Sequence, residues 1–143
     1  MTDADKPVLL VEDDPDDQVL IRRAFTKARL RNPLVLARDG DEAVAYLSGD
    51  QRQNPLPVLI LLDLKLPRRS GLQVLEWLRG QPGPLGRTPV AVLTSSRQNT
   101  DVDQAYDRGA NSYLVKPVDL DGLLELVKTV GLYWTVLNEA PGR

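Results

Sequence analysis

Val58-Leu59-Ile60-Leu61-Leu62 is an unbroken apolar run that stops on Asp63. A run this short, apolar throughout, reads as a central parallel strand covered on both faces. Three shorter runs share the pattern. Val8-Leu9-Leu10-Val11 is followed by Glu12, Asp13 and Asp14. Val90-Ala91-Val92-Leu93 is followed by Thr94, Ser95 and Ser96, and Tyr113-Leu114-Val115 by Lys116 and Pro117. Ligands of open parallel sheets bind outside the carboxyl ends of the strands. Carboxylates, hydroxyls and one lysine on that edge suit a divalent cation and a phosphoryl group.

Working outward, strands and helices alternate along the chain. Strand 1 is predicted over about 7–12, and helix 1 opens with Asp14 as N-cap, Pro15 at the first helical position, and Asp16 and Asp17 in the first turn. Val19, Leu20, Phe25 and Ala28 follow at helical spacing. Strand 2 is Leu34-Val35-Leu36-Ala37; Asp39 caps helix 2, with Glu42 three residues on and Gly49 at its end. Ser70 caps helix 3, whose apolar face is Leu72, Leu75 and Leu78. Residues 80–89, rich in glycine and proline, read as a loop. Helix 4 is predicted over about 100–108, closed by Gly109; strand 5 over 112–115; helix 5 starts at Asp119. Five strand–helix units with right-handed crossovers make a doubly wound α/β sheet. Periodicity alone leaves the strand order open.

The 143 residues suit a single domain, with a core over about 7–130 and a helical extension over about 131–138. There is no cysteine, which excludes disulfides and thiolate metal sites, and no histidine, which removes the usual general base and any phosphohistidine on this chain. No apolar run is long enough to span a bilayer, and the stretch from Met1 to Lys6 is polar and acidic, unlike a secretory signal. A cytoplasmic protein is the expectation. Net charge is -2 without a long basic run, so nucleic acid is not the expected partner.

If strands 1 and 3 are neighbours, Glu12, Asp13 and Asp63 converge. Carboxylates crowded together repel unless a cation sits among them. Oxygen ligands without histidine or cysteine favour Mg²⁺ or Mn²⁺ over zinc. One acid is then free to attack phosphorus and form an acyl phosphate. Lys116 would neutralise the phosphoryl oxygens and the Thr94 hydroxyl would hydrogen-bond to one of them. Singly, each piece has a plainer reading: acids after a strand cap helices, a lone lysine is solvated, a strand-end threonine bonds backbone. Their conjunction on successive strand ends carries the functional reading.

Val-Glu-Asp-Asp at 11–14, Leu-Leu-Asp-Leu-Lys-Leu-Pro at 61–67, Leu-Thr-Ser-Ser at 93–96 and Tyr-Leu-Val-Lys-Pro at 113–117 resemble the receiver domain of bacterial two-component response regulators, over essentially the whole chain. The resemblance implies a flavodoxin-like sheet of order 2-1-3-4-5 and a histidine kinase as phosphoryl donor. It makes Asp63 the phosphoacceptor. Asp13 would be a direct metal ligand, with Glu12 acting through water and the Lys65 backbone carbonyl completing the site. Thr94 and Tyr113 would be switch residues, Lys116 would bind a phosphoryl oxygen, and the Lys116–Pro117 bond would be cis. The segment 111–119 together with Gly131-Leu132-Tyr133-Trp134 is similar to single-domain regulators paired with phytochrome-type histidine kinases.

On helix 5, Leu120, Leu123, Leu124, Val127 and Trp134 are expected to face the sheet. Leu126, Val130, Tyr133 and Leu137 form a second row, read either as part of one wide buried face or as a twofold dimer interface. Val19, Ile21 and Arg22 on helix 1 are candidate kinase-facing residues, with core the preferred reading for Val19. With no output domain expected after helix 5, output would run through this domain's own surface or end in taking up phosphate. The competing functions are an aspartyl-phosphate phosphatase of the haloacid-dehalogenase kind, an FMN-binding flavodoxin, and a phosphate-independent scaffold. The first needs an acid where Lys65 stands. The second needs a phosphate loop where Glu12, Asp13 and Asp14 would repel one. The third usually lacks a site residue.

Overall fold

The computed structural model of the chain describes residues 6–138. Its order is β1 (Val8–Val11), α1 (Pro15–Lys27), β2 (Leu34–Ala37), α2 (Gly40–Ser48), β3 (Leu59–Leu62), α3 (Gly71–Arg79), β4 (Val90–Thr94), α4 (Asn99–Asp107), β5 (Ser112–Val115) and α5 (Leu120–Leu132). All five strands are parallel, in the order β2-β1-β3-β4-β5. This is the doubly wound, flavodoxin-like sheet.

The strands are apolar throughout because alternate residues feed two cores. Leu9, Val11, Ile60, Leu62, Val90 and Val92 meet Ala43, Leu47, Val74, Leu75, Leu78 and Ala105 from α2, α3 and α4. On the other face, Val8, Leu10, Leu59, Leu61, Ala91 and Leu93 meet Ile21, Ala24 and Phe25 of α1 and Leu123 and Val127 of α5.

The helix starts follow local chemistry. Asp14 accepts from Asp16 N, Asp39 from Glu42 N, Ser70 from Gln73 N and Asp119 from Gly122 N. Ser70 and Gln73 close a reciprocal capping box. Glu42 reaches one residue further back than a box requires and accepts from Arg38 N at 3.1 Å. The 80–89 segment is not plain loop: Gly83–Arg87 forms a 3-10 turn. The Arg79 guanidinium ties it down, donating to Gly86 O, Thr88 O, Gly109 O and Asn111 Oδ1.

Several expectations are corrected. Ile21 is completely buried, so it cannot face a kinase, whereas Val19 is 54% exposed and is not core. Leu120, the first residue of α5, is 44% exposed and does not face the sheet, while Leu124 and Trp134 pack on the core as expected. Leu126 and Val130 also pack against that core, leaving Tyr133 and Leu137 as the exposed members of their row. The helix continues as one π-helical turn, Tyr133–Leu137. The outermost residues of the expected domain, 1–5 and 139–143, lie outside the described residues. The Lys116–Pro117 bond is trans, like every peptide bond among the described residues. Trans is the intrinsic preference of an X–Pro amide by roughly 0.5–1 kcal/mol, and in this conformation the Lys116 amine still reaches the site.

Candidate functional site

Register builds the site. Val11 pairs with Leu62, so Glu12 and Asp63 leave adjacent strands side by side, and Asp63 N donates to Val11 O at 3.1 Å. Thr94 pairs with Val115, and Lys116 N donates to Thr94 O at 2.8 Å. Gly71 brings α3 against the end of β3; a Cβ there would lie 2.2 Å from the Asp63 carbonyl oxygen. Glycine is therefore required by close approach, not by backbone conformation.

Glu12 and Asp63 are buried and Asp13 is exposed. One carboxylate oxygen from each lies within 4.8 Å of the others. Such an all-oxygen cluster with one open side fits a hard divalent cation that keeps waters. Lys116 Nζ reaches in from β5 and donates to Glu12 Oε1 at 2.6 Å, Asp17 Oδ2 at 2.8 Å and Asp63 Oδ2 at 3.4 Å. Asp63 Oδ1 accepts from Lys65 N at 3.3 Å.

Burial pushes the Glu12 carboxyl up to about 7, against the opposing pull of the Lys116 hydrogen bond and charge. For Lys116, burial works against the charged form. The hydrogen bonds to Asp17 and Glu12 and the charge of Asp63 outweigh it, so the amine is raised and stays protonated.

Thr94 is fully buried at the tip of β4, and its hydroxyl lies at the limit of hydrogen-bond reach from Ser96 N, 3.5 Å. Ser96 Oγ donates to Asp101 of α4 and accepts from Gln98 N, tying the β4–α4 loop to a helix that has no side-chain cap at Gln98. The Tyr113 hydroxyl donates to Ser96 O at 3.0 Å. Burial raises the Tyr113 phenol, the Ser96 bond partly offsetting it.

The site residues expected at the strand tips of β1, β3, β4 and β5 thus lie on one sheet edge; Lys116 contacts Glu12 and Asp63 directly, and Asp13 lies within the same 4.8 Å carboxylate cluster. Asp17 was legible only as a first-turn acid of α1; that it shares Lys116 with Glu12 has no signal in local sequence, because the contact spans 99 positions. The Ser96–Asp101 tether spans only five positions and depends on how the β4–α4 loop turns into α4.

A model of the response regulator receiver domain matches residues 8–128. The chain belongs to the response regulator receiver domain family. Response regulator Rcp1 of Synechocystis sp. is 37% identical to this receiver over 131 residues, covering 90% of this chain and 88% of Rcp1. Its Mn²⁺-bound crystal structure matches with a TM-score of 0.87 at 36% identity, covering 96% of this chain and 99% of that one. The phosphorylated cyanobacterial phytochrome response regulator RcpA matches with a TM-score of 0.89 at 36% identity, covering 96% and 99%. The bacteriophytochrome response regulator RtBRR is 42% identical with a TM-score of 0.73, covering 96% and 84%. The receiver is thus similar to regulators of phytochrome type, and its carboxylate cluster is suited to a divalent metal.

Proposed function

We propose that this receiver accepts a phosphoryl group on Asp63 from a phosphohistidine of a separate histidine kinase. The observation that carries the reading is that Asp63 shares a 4.8 Å carboxylate cluster with Glu12 and Asp13 and accepts from the Lys116 amine at 3.4 Å. An Asp63 carboxylate oxygen attacks phosphorus, the O–P bond forms as the P–N bond of the phosphohistidine breaks, and the imidazole leaves and takes up a proton. Mg²⁺, or Mn²⁺ as in the Rcp1 crystal, would neutralise the crowded oxygens, held by Asp13 and Asp63, by Glu12 through water, and by the Lys65 carbonyl. Lys116 and the Thr94 hydroxyl would bind phosphoryl oxygens. Drawing Thr94 toward the phosphoryl group would disturb the Ser96 hydrogen bonds and so reach Tyr113 and α4. Phosphate shifts this equilibrium only as far as it prefers one state. Self-catalysed phosphotransfer and slow hydrolysis, rather than turnover of a substrate, complete the chemistry.

The finer parts of the reading are a phytochrome-type kinase as donor, supported by the likeness to RcpA and RtBRR, self-association along α5, and a cytoplasmic location. Among the described residues no helix is long and apolar enough to cross a membrane. The deciding experiment is labelling by acetyl phosphate with Mg²⁺. The parent protein gains an acid-labile label and Asp63→Asn does not; equal labelling of the variant would remove Asp63 from its role.

A further inference from the structure

We propose that Asp17 is a positioning residue that restrains the Lys116 ammonium, so that phosphoryl capture on Asp63 must draw the amine away from α1. The inference rests on the reading of Asp63 as phosphoacceptor. An ammonium has three N–H donors, and three carboxylates take them. The distances are 2.6 Å to Glu12, 2.8 Å to Asp17 and 3.4 Å to Asp63, so the contact with Asp63 is the longest. The donor that a phosphoryl oxygen on Asp63 would inherit is this longest one, so a short bond to it forms only as Nζ moves off its two closer acids.

Glu12 and Asp17 differ in how they can let go. Glu12 belongs with Asp13 and Asp63 to the carboxylate cluster, so a cation there would compete with Lys116 for its charge. Asp17 is not among those three, so a cation held by them would not take Asp17 as a ligand. Both ends of the Asp17–Lys116 pair are fixed by backbone. Asp17 lies in the first turn of α1, just after its Asp14 cap, and Lys116 N is bonded to Thr94 O. The pair is mostly shielded, with side-chain exposures of 12% for Lys116 and 22% for Asp17, so solvent screens it only in part. A dianionic phosphoryl group would also feel the Asp17 charge as repulsion. Both effects set the affinity of the site for a phosphoryl group without Asp17 touching it.

Asp17→Asn keeps the size and an acceptor oxygen and removes the charge. At saturating Mg²⁺ the probe is beryllofluoride, a phosphoryl mimic, titrated by calorimetry. Asp17→Asn is expected to bind it about tenfold more tightly than the parent, since a charge-assisted hydrogen bond is roughly twice as strong as a neutral one. Its acid-labile label from acetyl phosphate should also outlast the parent's. Equal or weaker beryllofluoride binding, with at most a lower melting temperature, would reduce Asp17 to a helix-start acid and overturn the inference. Parent protein that neither binds beryllofluoride nor loses its label in Asp63→Asn would instead overturn the reading of Asp63, and this inference with it.

Discussion

Glu12 illustrates how a single residue is set by its surroundings. Its carboxyl is almost fully buried at the end of β1, and folding raises it from 4.5 to about 7 because burial disfavours the charged form. Folding therefore favours the protonated acid. That contribution to stability is fully present below the unfolded value and is lost as pH rises through about 7. In metal-free buffer, the unfolding free energy of Glu12→Gln relative to the parent should shift in the variant's favour by about 1–3 kcal/mol between pH 5 and pH 8. Denaturant titrations at the two pH values measure this. An unchanged difference would mean that Lys116 keeps Glu12 ionised throughout.

At the scale of elements, the site depends on how closely α3 approaches β3. A Cβ at Gly71 would lie 2.2 Å from Asp63 O and 2.7 Å from Leu64 Cα, both backbone atoms that cannot step aside. Gly71→Ala should lower the unfolding free energy by about 1–3 kcal/mol, as overpacking does, and weaken Mg²⁺ binding by displacing Asp63. Gly83 is the contrasting case. It has a φ of +70°, and a methyl group there would meet nothing within 4 Å, so Gly83→Ala adds only backbone strain, about 1–2 kcal/mol. Mg²⁺ affinity should stay unchanged there. A parallel loss of affinity in both variants would mean that general destabilisation, not the α3 contact, controls the site.

At the scale of the molecule, α1 and α5 cover one face of the sheet and leave little of the second α5 row free. Leu126 and Val130 are spent on the core, while Tyr133 is 50% and Leu137 71% exposed at the extension. Tyr133 also stands edge-on to Trp134, with ring centroids 5.1 Å apart, so its position is held. Self-association along α5 should then depend on these two residues. On that proposal the parent is expected to sediment as a dimer and Tyr133→Ala combined with Leu137→Ala as a monomer at the same concentration. Identical sedimentation would exclude this end of α5.

The alternation of apolar runs with amphipathic, capped segments determined the five strands, the five helices and the doubly wound architecture, since those signals are local. The strand-tip residues Glu12, Asp13, Asp63, Thr94 and Lys116 were legible for the same reason: in a parallel sheet every strand delivers its last residue to one edge. What surrounds them was decided by packing. Ile21 and Val19 are both apolar, yet one is buried and the other faces solvent, because residues two apart on a helix lie about 200° apart and the stripe of Ile21, Ala24 and Phe25 is the one laid on the sheet. Only the juxtaposition of β5 with α1 gives Lys116 its bond to Asp17, and it is burial by its neighbours, with the Asp63 charge, that raises the Glu12 carboxyl. Contacts between residues about a hundred positions apart leave no periodic trace, and burial is a property of the assembled neighbours rather than of the residue itself.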